Sequence, residues 1–337
     1  MHYKILFYTL LLLACATRLP AQKIELLSSG TKTSIRGLSV VDSNIIWASG
    51  SNGKVAKSTD GGKTWSWYTV KGFENKDFRD IEAFDEKTAV IISVAEPAYI
   101  LKTFNGGESW KVVFEDSTKG MFLDAMEFWN IYSGIVVGDP INGRLFVART
   151  FDGGNSWMRL PAKRLPAVDS GEALFAASGT NVRKLNLSEA CIVTGGKRSR
   201  LIYRDKAVDI PIVQGTESSG ANSIAVWGKP KKAKAICIVG GDFSKDNATA
   251  NNCFISYDLG KSWITPKESP HGYRSCVEFI DGEKLITCGI NGVDVSPDGG
   301  MNWKLISNEG FHVCRKSKKD KTVYLAGGNG KIAKLQW

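Results

Sequence analysis

The chain has 337 residues, 43% of them hydrophobic and 23% charged, a balance that supports a large core and excludes a disordered chain. Lys and Arg total 44 against 34 acids, giving a net charge of +10. The cations are scattered apart from two short runs, Lys229-Pro230-Lys231-Lys232 and Arg315-Lys316-Ser317-Lys318-Lys319. No recognition motif accompanies them, so they read as solvated turns and not as a nucleic-acid surface.

The first element is a targeting segment. Lys4 precedes an almost unbroken apolar run from Ile5 to Ala14, too short to span a bilayer as a mature helix. Small-residue cleavage sites follow at Ala14-Cys15-Ala16 and Leu19-Pro20-Ala21-Gln22. The pattern predicts a signal peptide over 1–21 and an exported mature chain over 22–337, periplasmic or secreted. Leu12-Leu13-Ala14-Cys15 also fits a lipobox, with Cys15 lipidated and an outer-membrane lipoprotein as the alternative. No second long apolar run follows, which argues against an integral membrane protein.

Two repeats organise the rest. Ser58-Thr59-Asp60-Gly61-Gly62-Lys63-Thr64-Trp65 recurs at 103–110 around Asn105 and Trp110, and at 150–157 around Asp152 and Trp157. It recurs again at 256–263 around Asp258 and Trp263, and at 296–303 around Asp298 and Trp303. The wide gap between the third and fourth copies predicts a copy without the motif near Leu201–Asp205. Apolar, β-branched runs ending in Gly form the second repeat, at 45–50, 134–138, 191–195, 235–240, 285–289 and 323–327, with 89–93 as a copy lacking the Gly. These read as short buried strands. Seven copies at this spacing match the blade period of a β-propeller. The expected fold is all-β: a seven-bladed propeller of four-stranded antiparallel blades forming one domain over 22–337. The last blade runs out of chain at Trp337, so the segment from Lys23 to Leu27 is expected to add its outer strand and close the ring.

Six cysteines remain beyond Cys15: Cys191, Cys237, Cys253, Cys276, Cys288 and Cys314. They lack the paired spacing of a metal site and read as small buried apolar residues. Cys276 and Cys288 flank the Asp281-Gly282 turn and could face each other across a hairpin. The only histidines are His2, His271 and His312. No dinucleotide fingerprint opens a helix, so no cofactor and no metal centre is expected.

The five-copy turn resembles the Asp-box, the bacterial neuraminidase repeat. Its Asp or Asn is read as a hydrogen-bond acceptor inside a tight turn, its Gly as the positive-φ residue and its Trp as a ring packed between sheets. The whole mature chain resembles the photosystem II stability/assembly factor-like family of seven-bladed propellers. It also resembles uncharacterised exported bacterial relatives carrying stretches like Val137-Gly138-Asp139-Pro140 and Phe175-Ala176-Ala177-Ser178-Gly179-Thr180. The resemblance implies the fold, and function only loosely.

Alternating strand direction sorts residues by face. The starts of the innermost strands share one face with the turns between second and third strands, and the Asp-boxes lie on the other. Aligning Arg36-Gly37-Leu38, Arg79-Asp80-Ile81 and Arg274-Ser275-Cys276 places Arg36, Arg79 and Arg274 together at the channel mouth. Asp80, Asp124 and Glu172 are expected beside them, with Glu96, Asp139 and Asp242 on the turns of that loop-rich face. Such a cluster either binds an anionic group bidentately or forms a structural network plugging the channel.

The reading of function is a binding or assembly protein, expected as a monomer, that recognises a protein or glycan on its loop-rich face. The alternative is a sialidase-like glycoside hydrolase acting on an anionic sugar, with Tyr273, Asp80, Asp124 and Glu172 as weak catalytic candidates. The Phe/Tyr-Arg-Ile-Pro motif of sialidases is absent, and Ser34-Ile35-Arg36-Gly37 stands in its place. That departure puts a carried-over nucleophile or acid in doubt.

Overall fold

A computed structural model describes residues 22–337 apart from 166, 230 and 231. The leader, Cys15 and the centre of the first basic run lie outside the described residues. Seven antiparallel sheets follow one another along the chain. The first three blades start with Ile35–Val40, Phe78–Ala83 and Leu123–Phe128 as innermost strands. The next four start with Val182–Lys184, Ser219–Lys229, Cys276–Phe279 and Val313–Lys316. Among the described residues no helix is long and apolar enough to cross a membrane.

Second strands such as Ile46–Gly50 and Ala89–Ser93 are buried along their whole length. A propeller blade is covered on both faces by its neighbours, which is why these strands are continuous apolar runs and not alternating ones. Side chains interdigitate between blades: Val90 and Ile92 of blade 2 pack with Met126, Phe128 and Val136 of blade 3. Lys23–Ser28 pairs antiparallel with Ile332–Gln336 of blade 7, so the first segment of the ring is fastened to the last.

The five repeated turns are built alike. In the first, Ser58 Oγ accepts the Gly62 N–H at 2.9 Å, while Asp60 accepts the backbone N–H and the hydroxyl of Thr64 at 2.9 and 2.6 Å. Gly61 and Gly62 have φ of +77° and +89°, where a side chain would be strained. The hydroxyl and backbone donors of Thr64 hold the Asp60 carboxyl down to about 2. The Trp65 indole N–H closes the turn on the Gly62 carbonyl at 3.0 Å. Blade 4 has instead a two-residue turn, Arg204-Asp205, with Arg204 at φ +55°, which explains the gap in the sequence repeat.

Blade 5 departs from the four-stranded plan. Its sheet also takes in Gly195–Gly196 and Glu172–Ala173, and its outer edge is a single bridge between Ile255 and Ile264. All six described cysteines are buried and free. Cys276 does sit opposite Cys288 in the hairpin register.

Candidate functional site

The channel has two ends of different character. At the loop-rich end it is filled by the chain itself. After blade 3 the connector returns through Phe175-Ala176-Ala177-Ser178-Gly179-Thr180 and lies across the channel. Arg36 Nη1 donates to the Ala177 carbonyl at 3.5 Å and Arg79 Nη1 to the Ala176 carbonyl at 3.2 Å. Arg315 donates to the carbonyls of Ser178 and Gly179 at 3.3 and 3.0 Å. Ser178 donates to the Ser275 carbonyl and Thr180 to Ser223 Oγ, at 2.7 and 2.6 Å. Five blades thus hold one plug: blades 1, 2 and 7 through guanidinium groups, and blades 5 and 6 through short hydroxyl contacts.

The strand registers give the equivalences. The innermost strands of blades 1, 2 and 3 each carry a bulge after the first paired residue, at Arg36, Arg79 and Asp124, and that of blade 5 carries one after the third, at Asn222. In blade 6 Cys276 pairs Cys288 one residue before Gly289, as Gly37 pairs Ser49 before Gly50, so Ser275 and not Arg274 matches Arg36. The expected grouping of three arginines is therefore corrected: Arg274 turns back into its own blade. It is fully buried, donates from Nε to Asp294 at 2.6 Å, and reaches Asn291 and the Tyr273 carbonyl. In blade 7 the equivalent position holds His312, whose Nδ1 contacts the Ile35 carbonyl at 2.9 Å.

The other expected residues separate. Glu172 is not in an innermost strand: it pairs with Gly196 at the blade 4–5 boundary and is ion-paired to Arg200 at 2.6 Å. Asp242 accepts the Ser244 N–H in its own turn, and Glu96 accepts the Gly120 N–H. Asp139 fixes the approach to the plug by accepting the Leu174 N–H at 2.8 Å. Asp80 lies beneath the plug and accepts the N–H groups of Met126 and Ile81; burial lifts its carboxyl well above the usual range despite those bonds. Asp124 is wholly buried, and neither of its oxygens has a hydrogen-bond partner among the described residues. Burial, then Asp139, raises it, with Arg79 opposing. Tyr273 is buried, and its hydroxyl donates to Asn222 at 2.7 Å.

The residues that remain at this mouth carry a positive field. Arg79 is paired at 2.7 Å with Asp77. Burial, then Arg79, lowers the Arg36 guanidinium. Burial, then Arg36, lowers His312 to about 4, with Arg79 and Lys331 adding to the effect. Two arginines on adjacent blades, with one carboxylate between them, can accept an anionic group.

The opposite end is open. A cavity of about 480 Å³ enters the channel on the face of the five repeated turns. Ser39, Glu82, Glu127, Arg183, Glu278 and Arg315 line it from equivalent strand positions of six blades, and Ala225 holds that position in blade 5. Arg183 bridges Glu127 and Glu278 at 3.3 Å each, passing the small Ala225 of the intervening blade. Lys318 pairs with Glu82 at 2.7 Å. Burial lifts Glu278 to about 7 against the pull of Arg183. Sequence reasoning missed this end. Its signal is the shared offset of Glu82, Glu127 and Glu278, three residues after Arg79, Asp124 and Ser275.

No family model matches the sequence, and no curated protein does. Among solved structures the chain is similar to YCF48 bound to a D1 peptide, at 16% identity and a TM-score of 0.66, covering 95% of this chain and 96% of that one. YCF48 from Cyanidioschyzon merolae matches at 16% identity and 0.66, covering 94% and 99%. The Pan2 WD40 domain of Neurospora crassa matches at 10% identity and 0.57, covering 90% and 89%. At these identities the likeness is one of fold: the chain is a seven-bladed β-propeller of the shape that YCF48 also has.

Proposed function

We propose that this protein is an exported propeller, periplasmic or secreted, that binds a protein segment bearing an anionic group on its loop-rich face. One observation carries the reading. Arg36 and Arg79 stand side by side at that mouth, each spending one Nη1 donor on the plug, while their Nη2 groups have no hydrogen-bond partner among the described residues. The part-exposed pair has Asp77 as its nearest ionic partner. Bidentate capture of a carboxylate or phosphate uses such donors. The plug holds both side chains in place beforehand, which lowers the ordering cost of binding. The likeness to YCF48, whose structure is recorded with a bound D1 peptide, agrees in kind. The signal-like leader supports export.

The test is titration with short peptides that differ only in carrying Asp/Glu or Asn/Gln. Binding should favour the acidic series, weaken with salt, and fall at least about tenfold in Arg36→Ala/Arg79→Ala. Equal binding of both series by the native protein, or undiminished binding by the double variant, would refute it.

A further inference from the structure

We infer that the open end of the channel is a second binding site, for a neutral sugar residue. It is separate from the arginine mouth, does not depend on that reading, and lies on the opposite face of the ring.

Size comes first. A cavity of about 480 Å³ falls in the range of small-ligand sites. Its inner end is closed, because Asp80 and Arg315 line it while touching the plug side. A ligand therefore enters from one side and stops.

The charges decide the ligand class. The inner wall presents four carboxyl groups, and each has a cation within reach. Glu127 and Glu278 share Arg183, Glu82 has Lys318, and Asp80 has Arg315 at 3.7 Å. An ionic ligand seated among them would have to displace one of these pairs to gain a counter-charge. A hydroxyl does not. A paired carboxylate keeps free lone pairs, and a guanidinium bonded through Nη1 and Nη2 keeps further N–H groups. The inner wall thus offers closely spaced acceptors and donors with its charges paired, and the remaining cations, Lys316 over Trp227 and the exposed Lys184, stand at the rim. That pattern suits a ring of neutral hydroxyls, each of which donates and accepts.

The rim supplies the apolar complement. Trp129 of blade 3 and Trp227 of blade 5 both line the cavity and are only partly buried. The Arg149 guanidinium stacks on Trp129 at 4.5 Å and Lys316 lies over Trp227 at 5.6 Å, which fixes the indoles in position. A pyranose has one face of C–H groups, and an indole is a flat apolar surface with a polar edge. Paired charges inside and indoles outside therefore match the two kinds of surface on one sugar.

The experiment is ligand-observed NMR of the purified protein with glucose, galactose, N-acetylglucosamine and their disaccharides, alongside glucuronate and glucosamine as charged controls. At least one neutral sugar should bind saturably with Kd of about 1 mM or tighter. Affinity should drop about tenfold or more in Trp227→Ala and several-fold in Glu127→Gln, and stay unchanged in Arg36→Ala/Arg79→Ala. Glu127→Gln preserves shape and serves where Trp227→Ala does not fold. Saturable binding only of the charged controls, no saturable binding of any sugar, or binding lost only with Arg36 and Arg79 would each overturn the assignment. Failure here leaves the peptide titration at the other mouth unaffected, so the two readings fail separately.

Discussion

Arg36 and Arg79 occupy the same bulged position of adjacent blades and donate to successive carbonyls, those of Ala177 and Ala176. The bulge matters because the extra residue leaves the ladder and re-aims its side chain. Here that turns both guanidinium groups from the sheet toward the channel, where they meet the plug. The arginines hold the plug, and the plug holds the arginines.

The plug depends on Gly179. Its φ is +63°, and a Cβ there would come within 2.2 Å of the Asp80 carboxyl carbon. Asp80 is itself buried and tied to two backbone N–H groups, so it has little freedom to withdraw. Gly179→Ala should therefore cost about 2 kcal/mol or more through clash and left-handed strain. Chemical denaturation would show a lower midpoint at unchanged slope, and the acidic-peptide affinity should fall with it because the arginines lose their supports.

Arg274 gives the contrasting case. Its guanidinium and the Asp294 carboxyl are both fully buried, whereas Arg79 is part-exposed beside a part-exposed Asp77. Removing one partner of a buried pair leaves an uncompensated charge, at a cost of about 3–5 kcal/mol. Asp294→Asn should therefore destabilise by about 3 kcal/mol, and Arg79→Ala by about 1 kcal/mol or less in urea unfolding. Similar losses from the two variants would show that Arg274 belongs with Arg79 after all.

The contrast also shows what the sequence could carry. The five repeated turns were legible because their hydrogen bonds are local: Ser58, Asp60, Gly62 and Thr64 satisfy one another within a few residues, so the chemistry is written contiguously. The N-terminal closure was legible because a blade one strand short must find an edge partner. Arg274 was misplaced by one residue because the blade register is set by Cys276 opposite Cys288, a pairing that sequence alignment on arginine ignores. The plug was hidden for a different reason. Phe175–Thr180 has no periodicity, and its backbone groups are satisfied by Arg36, Arg79 and Arg315, each more than ninety positions away in the chain. The ring of Glu82, Glu127 and Glu278 was hidden because Lys318–Glu82 and Arg183–Glu278 join residues of blades that are not consecutive in sequence.

Closure by Lys23–Ser28 can be tested by removal. The segment pairs along Ile332–Gln336, and without it that strand would present an unpaired edge to solvent. Open edges pair with other chains. A chain lacking residues 23–28 should melt at lower temperature and show concentration-dependent association by light scattering. A sharp single species with unchanged melting would mean that blade 7 is complete without this strand.

His312 should make the fold acid-sensitive in a defined window. Its Nδ1–H donates to the Ile35 carbonyl, and burial with Arg36, Arg79 and Lys331 depresses its pKa to about 4, below the ordinary imidazole value of 6.5. A base depressed in the folded state binds fewer protons there than when unfolded. Between about pH 4 and 6.5 stability therefore rises with pH, and it is lost as pH falls back through that window. The shift corresponds to up to about 3 kcal/mol, fully present above pH 6.5. The native protein should lose urea resistance steeply from pH 6.5 to 4.5. His312→Gln, less stable at pH 7 for want of the imidazole packing, should lose less over the same range, so the two curves converge in acid. Parallel curves would place the acid sensitivity elsewhere, whereas convergence would locate it at the arginine mouth, where an incoming anion would also raise the His312 pKa.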